Sequence, residues 1–424
     1  MRLVCPAPVA HKSILPYDVH DGQEPFSPMG RAGRARSNEI AMTLAWPQSP
    51  YEQRSLWVVP VAWLIPILAA IIGGIGVATL YSVAGGSMEP WAMRHVIRLI
   101  VGFGIMFALL PVPARHWLDW ALPIYLAALL LVLAVMLRGS EALGAQRWLV
   151  MGPLSLQPSE IMTFAMVLML ARYYHGLPGR LVSHPVAVSI PVLLVAMPML
   201  LILKQPDLGT AILLGTTGLV LIVLSGTSLK YIAAGGALMV LAAPLSWTLL
   251  HGYQKQRLLV FWDPAIDPLG KGYQIYQSKI ALGSGGYAGK GFLQGTQTQL
   301  DFVPEKHTDF VFALWAEETG FVGSMILAGL FLLLVWCLMV LALRARTVFA
   351  RLAIAGIATS LFLHVFVNIA MVVGLVPVVG VPLPLISYGG TSLFSLLIGI
   401  GLCLGLARQG EDRRRATSLL RRPA

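Results

Sequence analysis

Charged residues are scarce in this sequence. Only 12% of its 424 residues are Asp, Glu, Lys or Arg, whereas 57% are hydrophobic. A soluble domain typically has about 25% charged residues, so this chain lacks the charge to cover the surface of a soluble protein of its size. A bilayer core requires roughly 20 apolar residues for each helical span, and apolar runs of that length recur along the chain. The composition therefore predicts one membrane domain instead of several soluble ones.

Several functional signatures are also missing. The sequence contains no phosphate-binding loop, no dinucleotide fingerprint and no Cys/His cluster with zinc spacing, which argues against an ATP-driven pump and a zinc hydrolase. Its three cysteines provide no disulfide framework. Residues 1–54 lack the apolar region of a signal peptide and are rich in Pro, Gly, Ser and charge. We expect them to form a disordered cytoplasmic tail.

The hydropathy pattern predicts an all-α polytopic membrane protein with about ten transmembrane helices. A ten-span membrane domain is expected over residues 55–408, followed by a basic cytoplasmic tail over residues 409–424. The predicted spans are residues 56–82, 95–112, 117–137, 157–174, 186–204, 208–225, 230–250, 310–343, 350–376 and 386–407.

The basic residues indicate the orientation. The net charge of +11 is concentrated beside the hydrophobic runs and at the C-terminus, as expected for cytoplasmic loops. Both termini are therefore predicted to be cytoplasmic, although Arg94 and Arg98 fall on the opposite side. The orientation rests on the basic residues at the C-terminal end of the chain, which are Arg408, Arg413, Arg414, Arg415, Arg421 and Arg422.

This orientation places residues 251–308, between spans seven and eight, outside the cytoplasm. Connections longer than about 12–15 residues are usually functional or disordered. Aromatic residues, spaced glycines and an amphipathic stretch from Tyr273 to Leu282 predict a folded cap on the membrane surface. The eighth apolar run is expected to begin with an interfacial piece carrying Glu317 and Glu318, with a span starting at about Phe321.

Polar motifs mark the outer ends of the predicted spans, where ionisable groups are costly and suggest function. The first combines residues 144–148 with Gln157–Glu160, and it could be a capped helix start or part of a site. The second surrounds Asp207, which an N-cap role explains well. For both motifs the structural and functional interpretations remain open.

Three further motifs lie within the long loop, at its end and at the start of the last predicted span. Asp263 and Asp267 each precede a proline, which suits a turn, but either carboxylate could instead act as a general base. Residues 304–310 hold four ionisable side chains and could cap a helix or contact a pyrophosphate. Residues 380–392 are dense in Pro and Gly, which predicts irregular backbone. Such backbone at membrane depth is tolerated where it is buried in protein or lines a cavity, so this segment is expected to line a cleft.

These motifs resemble the SEDS family (shape, elongation, division and sporulation), and within it the RodA branch of cell elongation. The resemblance covers about residues 60–408. The strings that carry it, in chain order, are GAQRWL, QPSE, QPDLGT, DPLGKGYQIYQSKIALGSGG, GKGFLQGTQTQL, PEKHTDF and PVVGVPLPLISYGG.

The resemblance implies a peptidoglycan glycosyltransferase that polymerises lipid II at the outer face of the cytoplasmic membrane. By its DPxG context, Asp267 matches the family's essential loop aspartate and would take the proton from the acceptor 4-hydroxyl. Arg147, Lys279 and Lys306 are candidates to stabilise the leaving pyrophosphate. A divalent cation could also do so, although no ligand set is visible, and a class B penicillin-binding protein is the implied partner. The full set of expected substrate-binding residues is Arg147, Glu160, Gln277, Lys279, Lys306, His307, Asp309 and Ser387.

One position departs from the family pattern. RodA-like chains usually carry a lysine three residues after the glutamate of QPSE, where this chain has Thr163. Glu160 therefore lacks that (i, i+3) partner, unless another cation replaces it. Two alternatives to the transferase stay open: a lipid II flippase, since broken helices and buried polar groups also suit a transporter, and a non-catalytic scaffold of wall synthesis.

Overall fold

The structure is a computed structural model. It describes residues 58–138, 140–142, 145–151, 154–228, 230–231, 233–237, 241, 252–263, 266–267, 270–300, 302 and 306–420. The predicted N-terminal tail and most of the predicted seventh span lie outside the described residues.

Long helices make up most of the described chain. They are α1 (Val58–Val83), α2 (Ala92–Leu109), α3 (Ala114–Arg138), α4 (Pro158–Gly176), α5 (Pro185–Lys204), α6 (Leu208–Leu224), α10 (Val311–Arg344), α11 (Val348–Val373) and α12 (Gly390–Leu420). Three shorter helices belong to the long loop: α7 (Gly252–Trp262), α8 (Lys271–Ser284) and α9 (Thr296–Gln299).

The helices bear out a mostly helical, multi-pass fold. Within the described residues, seven helices are long and apolar enough to cross a membrane, and α6 is a shorter apolar helix. Helix α4 covers the predicted fourth span. The count of ten spans stays a prediction, because the predicted seventh span falls largely outside the described residues.

Helices α11 and α12 lie near the centre of the bundle. Their apolar windows are 56% and 67% buried, compared with 28% for α2. Helix α11 packs against α4, α6 and α10, and α12 packs against α2. The outer helices instead expose large side chains such as Ile100 and Leu193. Such contiguous apolar surface marks contact with lipid or protein.

A small antiparallel sheet precedes α4, where the sequence analysis expected only a loop. Its strands are β1 (Ser140–Ala142), β2 (Ala145–Met151) and β3 (Leu154–Leu156), in the order β1-β2-β3. Two of the strands have three residues each, which is too short for an alternating pattern to reveal. Residues 145–149 of the GAQRWL motif lie on the central strand of the sheet.

Helix α10 is broken at Gly320, which has φ 68° and ψ −162°. The break separates the segment with Glu317 and Glu318 from the apolar run that starts at Phe321, as the sequence analysis predicted. A side chain at Gly320 would collide with the backbone of Gly289 in the long loop. Glycine is therefore required because the loop and the helix break meet backbone to backbone.

The loop is also held by the buried carboxylate of Glu317. It accepts hydrogen bonds from Lys290 Nζ at 2.6 Å, Thr296 Oγ1 at 3.1 Å and the Gln297 amide at 3.1 Å. Backbone amides of Phe321 and Val322 donate to the loop at Gly286 and Tyr287. This described part of the loop is folded against α10, as expected for a cap. On the amphipathic stretch of α8, Ile275 is 6% exposed, whereas Ile280 is 41% exposed.

Candidate functional site

An irregular segment, residues 374–389, joins α11 to α12 and forms one wall of the site. The Asn368 amide donates to the carbonyls of Val381, at 2.7 Å, and Asp309, at 2.9 Å. His95 Nε2 lies 3.0 Å from the Leu385 carbonyl, and it donates to that oxygen because a carbonyl only accepts. The predicted irregular backbone is thus confirmed for residues 380–389, and its Val381 and Leu385 carbonyls find donors inside the protein.

Ser387 ties this segment to the chain before α10. Its hydroxyl donates to the Thr308 carbonyl and accepts from the Leu383 amide at 2.8 Å. The side chain is 3% exposed. The hydroxyl proton is therefore already used between two segments, which favours a positioning role for Ser387 over the expected direct substrate contact.

Aromatic rings and cations gather beside Ser387. His307 stacks on Trp91 with ring centroids 4.9 Å apart, and it lies 6.1 Å from the Tyr388 ring. Arg98 lies over the Tyr388 ring at 4.3 Å and donates to its hydroxyl at 3.2 Å. Lys306 Nζ is 6.0 Å from the Trp91 ring centroid. The structure thus brings the expected Lys306 and His307 together with Arg98, which the sequence analysis left out of the site.

Asp267 is half-buried in the turn between α7 and α8. A Cβ at Gly270 would collide with both of its carboxylate oxygens. The Gly of the DPLG string therefore leaves the space that the Asp267 carboxylate occupies. Asp263 lies directly after α7, where its backbone amide donates to the Leu259 carbonyl at 2.9 Å and its carbonyl accepts from the Ile266 amide at 3.2 Å. These bonds end α7 and open a turn, as the turn interpretation of Asp263 requires.

Helix α8 connects the Asp267 turn to the irregular segment. Ser278 is fully buried and donates to the Val372 carbonyl at 3.1 Å. The exposed Lys279 side chain packs over Gly374, the residue that ends α11 with φ 83°. Gln277, another expected substrate-binding residue, is half-buried on this helix. These contacts place α8 against the end of α11.

The starts of α4, α6 and α12 are joined by hydrogen bonds. The Gln157 amide donates to Thr391 Oγ1 at 3.2 Å, and its side chain donates to Asp207 Oδ2 at 3.5 Å. Asp207 also accepts from the Thr210 amide at 3.3 Å. The N-cap interpretation of Asp207 is confirmed, and the polar motifs around Gln157, Asp207 and Thr391 meet at one end of the bundle.

Glu160 lies in the first turn of α4, after Pro158 at the helix start. It faces His364 of α11, with Glu160 Oε1 3.7 Å from His364 Nε2. Both residues line a cavity of about 40 Å³ together with Thr163. His364, like Arg98 and His95, was missed by sequence reasoning. An ionisable residue inside an apolar run is the signal that could have found all three.

Asp309 and Arg147 are the remaining substrate-binding residues that the sequence predicts. Asp309 is half-buried, and its carbonyl receives the Asn368 bond. Arg147 lies on β2, but its side chain is outside what the structure describes. Within the described residues, no group of three or more His, Cys, Asp or Glu side chains is placed to hold a metal ion.

The family model for cell cycle proteins named FTSW_RODA_SPOVE matches residues 60–412. The chain is 45% identical over 324 residues to the peptidoglycan glycosyltransferase MrdB of Escherichia coli strain K12, covering 76% of this chain and 85% of that protein. It is 33% identical over 355 residues to a probable peptidoglycan glycosyltransferase FtsW of Geobacter sulfurreducens, covering 81% and 94%.

Solved structures show the same architecture. A chain from a peptidoglycan synthase complex, studied for the coordination of polymerization and crosslinking, aligns with a TM-score of 0.72 at 34% identity, covering 82% of this chain and 98% of that one. The crystal structure of the rod shape determining protein RodA of Thermus thermophilus aligns with a TM-score of 0.62 at 32% identity, covering 82% and 96%.

Proposed function

Since the chain belongs to the FTSW_RODA_SPOVE family, we propose that it is a peptidoglycan glycosyltransferase that polymerises lipid II during cell elongation. Its apolar helices and its similarity to MrdB and RodA make it a multi-pass protein of the bacterial inner membrane. The observation that carries the site assignment is the Asp267 carboxylate, half-buried above Gly270 in a turn of the folded loop.

In the proposed reaction, Asp267 is the general base. Its carboxylate takes the proton of the acceptor 4-hydroxyl, and the oxygen attacks the anomeric carbon of the donor sugar. The bond from that carbon to the lipid pyrophosphate breaks, and the configuration inverts. A positioned base of this kind typically contributes about 10²–10⁴ in rate.

The leaving pyrophosphate gains negative charge as this bond breaks, so cations near it lower the barrier. Lys306, His307 and Arg98 form one group around Trp91 and Tyr388. Lys279 is exposed on α8, next to the same irregular segment. We assign these side chains to pyrophosphate binding, with Arg147 of β2 as a further candidate. Glu160 and Ser387 support the wall behind them.

We further propose that both termini are cytoplasmic, which places the loop and the site at the outer membrane face, where lipid II is used. The basic C-terminal residues support this orientation. The likeness to a chain of a peptidoglycan synthase complex supports a crosslinking partner, a class B penicillin-binding protein.

Reconstitution in liposomes separates a transferase from a flippase. The wild-type protein with purified lipid II should form glycan strands, detected by gel electrophoresis after the lipid is removed. Asp267→Ala should abolish strand formation while the protein still inserts and remains monodisperse in detergent. Polymerisation by Asp267→Ala at the wild-type rate would contradict the mechanism. Translocation of labelled lipid II without polymerisation by the wild type would instead favour the flippase, and neither activity would favour the scaffold.

A further inference from the structure

Two ionisable side chains from different helices face each other inside the bundle. His364 of α11 and Glu160 of α4 are 7% and 8% exposed at their side chains, and Nε2 lies 3.7 Å from Oε1. A buried charge without a partner is strongly unfavourable. This closeness is therefore informative about the charge that each side chain carries.

The surroundings of the two imidazole nitrogens indicate which of them carries a hydrogen. His364 Nδ1 lies 2.7 Å from the Ser360 carbonyl. A carbonyl oxygen only accepts, so Nδ1 carries a hydrogen. If Nε2 had no hydrogen and Glu160 were ionised, a lone pair would face a carboxylate oxygen. A hydrogen on Nε2 removes this repulsion, and the imidazole ring then carries a positive charge opposite the Glu160 carboxylate.

Thr163 of α4 cannot act as a charged partner of Glu160. Its hydroxyl donates to the Ser159 carbonyl at 3.1 Å, within α4 itself. Thr163 offers no positive charge, and together with Glu160 and His364 it lines the cavity of about 40 Å³. The lysine that the family resemblance leads one to expect at this position is absent, and the imidazole approaches the same carboxylate from α11.

The pair lies directly behind the wall of the site. Pro384 of the irregular segment and Ser392 and Ser395 of α12 line the same cavity. One residue before α4 begins, the Gln157 amide holds Thr391. Movement of Glu160 would therefore be passed to the segment that carries Ser387.

We propose that His364 is a positioning residue of the transferase site, which supplies the positive charge opposite Glu160 and thereby fixes the start of α4 against the irregular segment. The proposal rests on the proposed function and deepens it. His364 acts through Glu160 and does not touch the reacting sugars.

The test exchanges the source of the positive charge. His364→Leu should lower the polymerisation rate on the order of 100-fold, because a small displacement of site groups has effects of that size. Adding Thr163→Lys should restore most of the loss, because its ammonium can enter the cavity beside Glu160. Thr163→Met is the matched control, since it fills the cavity without charge and should not restore the rate. Thr163→Lys alone should leave the rate close to wild type, because Glu160 already has a partner.

The thermal unfolding midpoint of each variant in detergent separates the pair from the reaction. His364→Leu should lower the midpoint, and Thr163→Lys but not Thr163→Met should raise it again. If the wild type forms no polymer while this pattern of midpoints holds, the proposed function fails and the charge pair stands. Equal rescue by Met and Lys, no rescue by Lys, or an unchanged rate in His364→Leu would each overturn the proposal.

Discussion

The most specific prediction concerns the space between Gly270 and Asp267. Gly270→Ala adds one methyl group, whose carbon would collide with both carboxylate oxygens of Asp267. An ordinary Cβ contact begins at 3.4 Å, so the carboxylate must move by about 1 Å, and such a misplacement typically costs about 100-fold in rate. That factor corresponds to about 2.7 kcal/mol of transition-state stabilisation.

The assay is the initial rate of lipid II polymerisation by purified protein. Gly283→Ala is the matched control, because Gly283 lies in α8 and a Cβ there would meet no atom within 4 Å. We expect Gly283→Ala to retain the wild-type rate, while Gly270→Ala loses about two orders of magnitude. A wild-type rate in Gly270→Ala would show that the reaction does not depend on the carboxylate position described for Asp267, and the base assignment would have to be abandoned.

Three further predictions concern substrate binding and the loop. Arg98→Gln should raise the KM for lipid II about tenfold through loss of a charged hydrogen bond, and an unchanged KM would remove Arg98 from the site. Gly289→Ala should lower the free energy of unfolding by about 1–3 kcal/mol, because Gly289 has φ 84° and the added methyl group would collide with the Glu318 carbonyl. A free energy of unfolding equal to that of Gly283→Ala would contradict this. Glu317→Ala should speed amide hydrogen exchange over residues 290–297, and unchanged exchange would refute its role as the loop anchor.

Local chemistry made parts of the site predictable. The helix break before Phe321, the N-cap at Asp207 and the helix within residues 271–284 follow from glycine placement, capping and amphipathic spacing. These signals act over a few residues, so one sequence contains them. Irregular backbone was also predictable for residues 380–389, because dense Pro and Gly exclude a regular helix there, whereas residues 390–392 of the same motif already belong to α12.

Contacts between distant segments were not predictable. Glu160 and His364 belong to separate helices, and neither has a local pattern that names the other. Arg98 was considered only as a loop charge, yet it packs on Tyr388. The amphipathic spacing of residues 273–282 predicted a helix but not which apolar position is buried, since Ile275 is 6% exposed and Ile280 is 41% exposed. Strands β1 and β3, which pair with the strand that carries Arg147, have three residues each and were too short to detect.

The central claim is that the Asp267 carboxylate is the base of lipid II polymerisation. The most direct measurement compares Asp267→Asn with Asp263→Asn, since both replace a carboxylate by an amide of the same shape in the same loop. Initial rates of polymerisation should fall by about 100-fold or more for Asp267→Asn and stay at the wild-type level for Asp263→Asn, with lipid II binding retained by both. A wild-type rate for Asp267→Asn, or equal losses in the two variants, would contradict the account.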